Sequence, residues 1–344
     1  MDKQVIQISP FAFDHPGGVE QYAKTLQRIF PHDIKTLAGS IDFPIIEPVK
    51  HFPFPAFWRK WFWNNFETIT SANTSYIVSH IRFSGTTWLA FFIAKRRGIP
   101  YIHIEHGTGF LVHKNPYIAW VAKMVDLTIG KYIIRHADTV ICISQAGKKW
   151  VSETFWRKHI EVIYRGFEFP KGERVKNIVP KIGFVGRLTG LKNVAGLIEA
   201  LGGMKTEKWI CEIVGEGEEK ANLVNLVTKL WLEERIIFLW VKSHEWIMSE
   251  FYPNIDIFVN PSLQEWLPTT VIEALGMGCH VIATDVGGTR EIENIELIAP
   301  WNTEALIHSL LRALTVEKDK DSSIGHQFSI ALMRKWFSLI LGIG

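Results

Sequence analysis

The chain has 344 residues, 47% of them hydrophobic, which is long for one core and apolar enough to fill two. Its 38 Lys and Arg against 35 Asp and Glu leave a formal charge of +3 spread over both signs, so bulk electrostatics give no reason to expect nucleic acid, and any anion site must be local. Cys142, Cys211 and Cys279 form no C-x-x-C pair and lie in or beside apolar runs, so buried free thiols are expected rather than disulfides or metal ligands.

Residues 1–8 enter a strand pattern directly, without the charged start, apolar run and cleavage site of a secretory leader. No uninterrupted apolar run reaches about 18 residues, since the candidate at 117–134 is broken by Lys123, Asp126 and Lys131. A cytoplasmic chain that does not span a membrane is expected. VIQIS (5–9) reads as a strand, after which Gly17 and Gly18 open a helix with Val19, Tyr22, Ala23, Leu26 and Ile29 at helical spacing. Such a turn lets backbone approach a phosphate or sugar, although G-x-G-x-x-G is absent and an ordinary strand-to-helix turn looks the same.

In 52–66, FPFPAFWRKWFWNNF, a helix from Ala56 onward would gather Trp58, Trp61, Phe62 and Phe66 on one face beside Arg59 and Lys60. That face either packs on its own domain or lies in a membrane interface. A strand at 75–82 and a helix at 85–98, with cations in its last turn and Gly98 after it, follow. The run 99–110 is a buried strand leading to Glu105, His106 and Gly107. A histidine at the carboxyl end of a parallel strand stands where open α/β sheets hold ligands, and it can donate to or accept from a sugar hydroxyl.

The formula repeats at 137–151, a strand ending at Ser144 and then a helix, and 162–168 reads as a further strand. The prolines and unpatterned charges of 169–180 mark a linker. At 181–201 the strand-turn-helix pattern restarts, and Arg187 and Lys192 flank a turn with Gly186 and Gly190. A guanidinium, an ammonium and free amides together suit a diphosphate. A strand, the turn Gly215-Glu216-Gly217 and a helix occupy 209–227, and 236–241 is a strand containing Trp240.

The stretch 254–293 reads as a buried strand, a polar turn, a short helix, a second buried strand, and a Gly-Gly turn leading into another helix. Glu265 precedes the short helix and Glu273 lies within it. Pro268 is tolerated in a first helical turn, which leaves the N–H groups around Thr269 and Thr270 turned outward for an anion. Beyond it, 297–314 gives a strand and a helix capped by Asn302 or Thr303, and 326–340 is an amphipathic helix.

The N-P-S string before Glu265, the spacing of Glu265 and Glu273, and D-V-G-G after them resemble the E-x7-E signature of retaining GT-B glycosyltransferases of the GT4 family. P-G-G-x-E at 16–20, E-H-G at 105–107, A-D-x-V-I-x-x-S at 137–144 and G-R-L-x-x-x-K at 186–192 are similar to further segments of that family. The resemblance implies an α/β chain of GT-B fold, two doubly wound Rossmann-like domains facing a cleft. Residues 1–168 would form the acceptor side, 169–180 the linker, 181–325 the nucleotide-sugar side, and 326–344 a helix crossing back to the first domain.

The implied reaction is transfer of a hexose from a UDP- or GDP-linked sugar to an acceptor hydroxyl with retention, in glycan or glycolipid synthesis. His106 and Glu265 would be catalytic. Gly18, Arg187, Lys192, Pro268, Thr269 and Thr270 would hold the diphosphate, and Gly215, Glu216 and Glu273 the nucleoside. Glu265, Trp266 and Leu267 would hold the donor sugar. The partners implied are that donor and a sugar or lipid-linked acceptor, with no cofactor and no metal, because the cations and the helix start would neutralise the leaving group. Trp240 and Trp266 stand where relatives carry glycine, which leaves base and sugar open. An inactive sugar-nucleotide binding module, or a GT-B epimerase or phosphorylase, are the alternatives.

Overall fold

Short runs rich in β-branched residues become parallel strands, which need side chains that are apolar on both faces. In the computed structural model of the chain, residues 4–9, 18–38, 73–82, 85–111, 115–169, 175, 177–315 and 326–343 are described. The aromatic stretch 52–66, Gly17 and half of the expected linker 169–180 lie outside them. The chain divides into two units, Met1–Gly166 with Gln327–Gly344, and Phe167–His326.

In the first unit the strands are β1 (Gln4–Ser9), β2 (Ile34–Ala38), β3 (Thr74–His80), β4 (Tyr101–Glu105), β5 (Thr139–Cys142) and β6 (Glu161–Val162), in the order β2-β1-β3-β4-β5-β6. In the second they are β7 (Lys181–Val185), β8 (Ile210–Val214), β9 (Ile236–Trp240), β10 (Ile257–Asn260), β11 (His280–Thr284) and β12 (Glu296–Ile298), in the order β12-β11-β10-β7-β8-β9. The described pairs are parallel throughout. In each unit the first strand is internal and the order reverses beside it, between β1 and β3 and between β7 and β10. A doubly wound sheet holds ligands at that reversal, outside the carboxyl ends of the strands.

Helix α1 (Gly18–Ile29) buries Val19, Tyr22, Ala23, Leu26 and Ile29, the face its spacing predicts. It is followed by α2 (Gly85–Arg97), α3 (Pro116–Val125), a π turn (Asp126–Gly130), α4 (Lys131–His136) and α5 (Gln145–Phe155). Among the described residues no helix is long and apolar enough to cross a membrane. The second unit adds α6 (Val194–Gly202), α7 (Lys220–Lys229), α8 (Thr269–Gly276) and α9 (Thr303–Thr315), and of the two residues expected to cap α9 it is Asn302 that receives the Ala305 N–H, at 2.9 Å. Helix α10 (Ile330–Leu341) buries Met333, Phe337 and Leu341 in one cluster with Tyr22, Leu26 and Ile29 of α1. All three cysteines are buried and form no disulfide.

Two expectations are corrected. The run 162–168 is not a strand beyond Val162: the Ile163 N–H still reaches the Cys142 carbonyl at 3.0 Å, but the Gly166 N–H turns to the Met333 sulfur of α10 at 3.1 Å. Nor does D-V-G-G lead into an α-helix. Gly287–Glu291 is a 3-10 turn, because the Gly288 N–H donates to the Trp266 carbonyl at 3.0 Å and ties the turn to the neighbouring loop.

Seven described non-glycine residues have positive φ, and four of them are tryptophans: Trp156 (58°), Trp231 (58°), Trp240 (52°) and Trp301 (62°). In this region Cβ crowds the following carbonyl, at a cost of roughly 1–2 kcal/mol per residue that glycine escapes. Trp231 is 82% exposed, so its ring recovers little by packing. Trp231→Gly should therefore stabilise the chain by about 1 kcal/mol, partly offset by the freer unfolded glycine. Thermal unfolding checks this, and a lowered Tm would show that the indole contributes more than its backbone strain removes.

Candidate active site

In the second unit four loops interlock at the strand ends. The Leu188 N–H donates to the Glu216 carbonyl at 2.8 Å, Leu263 to Leu191 at 2.8 Å and Gly186 to Val214 at 3.0 Å. Two glycines permit this approach. A Cβ on Gly215 (φ +141°) would stand 1.8 Å from the Gly186 carbonyl oxygen, and one on Gly287 (φ +55°) 1.7 Å from that of Glu265. No other residue fits either place.

Glu265 sits in the loop between β10 and α8. Its Oε1 accepts from Lys192 Nζ at 2.5 Å and from Asn260 Nδ2 at 3.2 Å. Asn260, the last residue of β10, is itself held: its Oδ1 accepts from the Ser262 N–H at 3.2 Å, and Thr284 donates to its carbonyl at 3.4 Å. The N-P-S string therefore aims the amide that orients Glu265. Lys192 and Glu265, expected on separate parts of a donor, are brought together as an ion pair. Arg187 is exposed on the same turn as Lys192 and makes no ion pair among the described residues.

Glu273, buried in α8, accepts from His244 Nε2 at 3.1 Å and lies 3.2 Å from Tyr252 Oη, which is also 3.3 Å from the Thr270 carbonyl. Burial, reinforced by the Glu273 charge, pushes the Tyr252 phenol well above its ordinary pKa, so it stays a donor. Both partners escaped sequence reading. His244 follows β9 at a turn capped by Ser243, a position that could have suggested it, whereas nothing in the local pattern marks Tyr252.

Pro268 stands at the cap of α8, and no side chain closes that end. The Val271 and Ile272 N–H groups return to the Pro268 carbonyl at 3.2 and 3.3 Å, which leaves Thr269 and Thr270 as the leading amides. Gly215 and Glu216 lie beside Trp240: the Gly215 N–H donates to its carbonyl at 3.0 Å, and Lys220, paired with Glu216 at 3.1 Å, covers its ring at 3.8 Å. Phe238 stacks on the ring at 5.1 Å. Trp266 is partly exposed and Leu267 is buried.

Gly18 and His106 belong to the first unit. Gly18 opens α1 and is exposed. His106 follows β4 and is buried, with Nε2 3.0 Å from His80 Nδ1, and His80 Nε2 is 3.2 Å from Gln7 Oε1. Burial, with His103 adding to it and Glu105 opposing, lowers the His106 pKa to about 4, so the ring is neutral near pH 7. Beneath it, Arg82 is shared by two carboxylates: it meets Glu105 at 2.8 Å and Asp126 at 3.0 and 3.2 Å, and its guanidinium lies 4.3 Å from the Trp150 ring centre. Glu105 also accepts from the Gly107 N–H at 2.7 Å, which fixes the E-H-G turn.

Burial opposes ionisation of Glu105, but Arg82, His103 and the Gly107 N–H together outweigh it and hold the group below the usual carboxylate range. Asp126 goes the other way: burial, together with the Glu105 charge and against Arg82, raises it from 3.8 to about 7. Folded protein thus keeps a proton on Asp126 that the unfolded chain has released. This contribution to stability is complete below 3.8 and is lost as pH rises through about 7. In urea unfolding across that window, Asp126→Asn should flatten the decline seen in the wild type, and an unchanged slope would assign it to another group.

The family model for glycosyl transferases group 1 matches residues 168–325, and that for Glycosyltransferase Family 4 matches 16–169. An uncharacterised glycosyltransferase of Methanocaldococcus jannaschii is 30% identical over 315 residues, covering 81% of this chain and 80% of its own. The N-acetylgalactosamine-N,N'-diacetylbacillosaminyl-diphospho-undecaprenol 4-alpha-N-acetylgalactosaminyltransferase of Campylobacter jejuni is 27% identical over 189 residues, 52% of this chain and 51% of its own. Among solved structures, the lipopolysaccharide outer core galactosyltransferase WaaB superposes with a TM-score of 0.73 at 18% identity, covering 98% of this chain and 99% of that one. Anabaena HepE, solved with UDP-glucose, gives 0.73 at 17% identity, again covering 98% and 99%. At such identities the two structures establish the fold, and together with the sequence relatives they show that the chain belongs to the family 4 glycosyltransferases, glycosyl transferases group 1, and has their GT-B fold.

Proposed function

We propose that this glycosyltransferase moves a hexose from a UDP- or GDP-linked sugar to an acceptor hydroxyl, with retention at the anomeric carbon and without a metal. The observation that carries the reading is the grouping of Arg187, the Lys192–Glu265 pair and the uncapped start of α8 on interlocked loops at the ends of β7 and β10. Two cations and leading helix amides are what a departing diphosphate needs, and they take the charge-neutralising role that a metal plays elsewhere. Lys192 is held by Glu265, so the ammonium is already aimed before a phosphate arrives.

Glu273 is set one turn inside α8, its carboxylate oriented by His244 and Tyr252. It suits a ribose hydroxyl, whereas Glu265, in the loop ahead of the helix, suits the transferred hexose. Retention is supported by the E-x7-E pattern, and a nucleotide-sugar donor by the UDP-glucose complex of HepE. The Campylobacter relative's name, with its diphospho-undecaprenol substrate, supports a lipid-linked acceptor as one of the two acceptor classes. The packed ring of Trp240 favours a second reading, a binding module with a narrowed pocket.

Titration with UDP and GDP and turnover of a panel of nucleotide sugars test the proposal. Glu273→Ala should weaken binding of the bare nucleoside diphosphate by about 10- to 100-fold, and Arg187→Ala by about tenfold, as expected for losing hydrogen bonds to charged groups. Glu265→Gln should leave that binding nearly intact while turnover falls, since its contact counts once the hexose is present and reacting. A Glu265→Gln variant that loses product affinity as severely as Glu273→Ala would overturn the division of labour. Nucleotide binding with no turnover of any donor would favour the binding module.

A further inference from the structure

We infer that His106 is built as a hydrogen-bond acceptor, its Nδ1 lone pair reading a donor group such as a sugar hydroxyl, and that Gln7 and His80 are the positioning residues that make it so. The inference deepens the transferase reading and rests on it for the identity of the ligand.

The direction of each hydrogen bond follows from one end of the chain of contacts. Gln7 is fully buried on β1, and its side-chain nitrogen donates to the Ala23 carbonyl at 3.0 Å and to Thr36 Oγ1 at 2.9 Å. A carbonyl oxygen only accepts, so the amide nitrogen must face Ala23 and the amide oxygen must face His80. His80 Nε2, 3.2 Å from that oxygen, therefore carries a hydrogen. His80 is sealed, and burial, with His106 and His103 adding to it, holds its pKa well below the usual value, so the ring is neutral and its Nδ1 is bare. A bare Nδ1 at 3.0 Å takes the hydrogen of His106 Nε2. A neutral His106 that donates from Nε2 has no hydrogen left for Nδ1.

No neighbour reverses this order. The Tyr22 hydroxyl is committed to the Ile163 carbonyl at 3.0 Å, and its ring meets His106 edge-on at 5.3 Å. The Glu105 carboxylate is taken by Arg82, the Gly107 N–H and, at 3.4 Å, His103 Nε2. His106 Nδ1 has no partner among the described residues. A hydroxyl or amide N–H satisfies it, and a phosphate or carboxylate oxygen would meet it lone pair to lone pair. The turn therefore selects the hydroxyl-bearing part of a ligand over its anionic part.

The test is imidazole nitrogen NMR on the full chain labelled at histidine, with His106 assigned through His106→Gln. The wild type should show hydrogen on Nε2 and none on Nδ1. Gln7→Glu places a carboxylate against His80, favours its cation, and should switch His106 to the Nδ1–H form. Transfer by that variant should fall about tenfold or more while UDP affinity is unchanged, the loss expected for one hydrogen bond made to the wrong partner. UDP-glucose should shift the wild-type Nδ1 resonance and inorganic phosphate should not. Hydrogen on Nδ1 in the wild type, an unmoved tautomer in Gln7→Glu, or an equal response to phosphate would each overturn the inference. If Gln7→Glu does not fold, the wild-type spectrum still decides. The tautomer is read without turnover, so a chain that transfers no sugar yet shows a bare Nδ1 would sink the transferase reading and leave the relay standing.

Discussion

Parallel pairing is the constraint on which the rest of this molecule depends. Each strand must be followed by a return over the sheet, so all the loops that leave carboxyl ends in a unit collect along one edge. At the reversal between β7 and β10 the two adjoining loops carry Arg187, Lys192 and Glu265, the last two joined as an ion pair. The same arithmetic in the other unit places His80 at the end of β3 beside β1, within reach of Gln7. In the second unit these two strands are filled mostly with Val, Ile and Phe, and those charged residues lie just past them, whereas in the first Gln7 and His80 are themselves strand residues.

The two units meet the burial of polar groups differently. In the second, charge is used directly: Lys192 against Glu265, and Glu273 between His244 and Tyr252, with part of each pair near water. In the first, charge is sunk beneath the turn, where Arg82 binds two carboxylates, and the groups above it are neutral rings and an amide. A guanidinium with a fork of donors can serve two carboxylates at once, which an ammonium would do less well. A neutral relay tolerates burial because the N–H groups of Gln7, His80 and His106 that form it each meet an acceptor, while a charge in the same place would have to be desolvated.

Much of this was legible in the sequence, for physical reasons that also mark the limits. Strands and helices announced themselves because their periods are local, and α1 buries the five apolar residues its spacing named. Arg187, Lys192, Glu265 and Glu273 could be named as candidates because each falls within a short, recognisable string. Their partners were not. Tyr252 reaches Glu273 from 21 residues away, and His80 reaches Gln7 from 73, so no periodicity connects them. The pairing of Lys192 with Glu265 was likewise hidden, since each looked like a ligand residue in its own string. The turn after D-V-G-G was misread because a second loop claims its Gly288 N–H, a contact that propensity cannot contain.

The left-handed tryptophans carry a meaning at the level of the gene. The codons UGG and GGG differ only in their first base, so each of Trp156, Trp231, Trp240 and Trp301 lies a single nucleotide change from the residue its backbone suits. Three of them point largely into water, where neither sheet nor core registers the exchange. The turns of this chain, rather than its strands, are therefore where sequence can drift between relatives while the fold stays fixed. Trp240 is the exception, because its ring is held by Phe238 and Lys220 at the rim of the loop cluster, and there the same change of base would alter what the loops enclose.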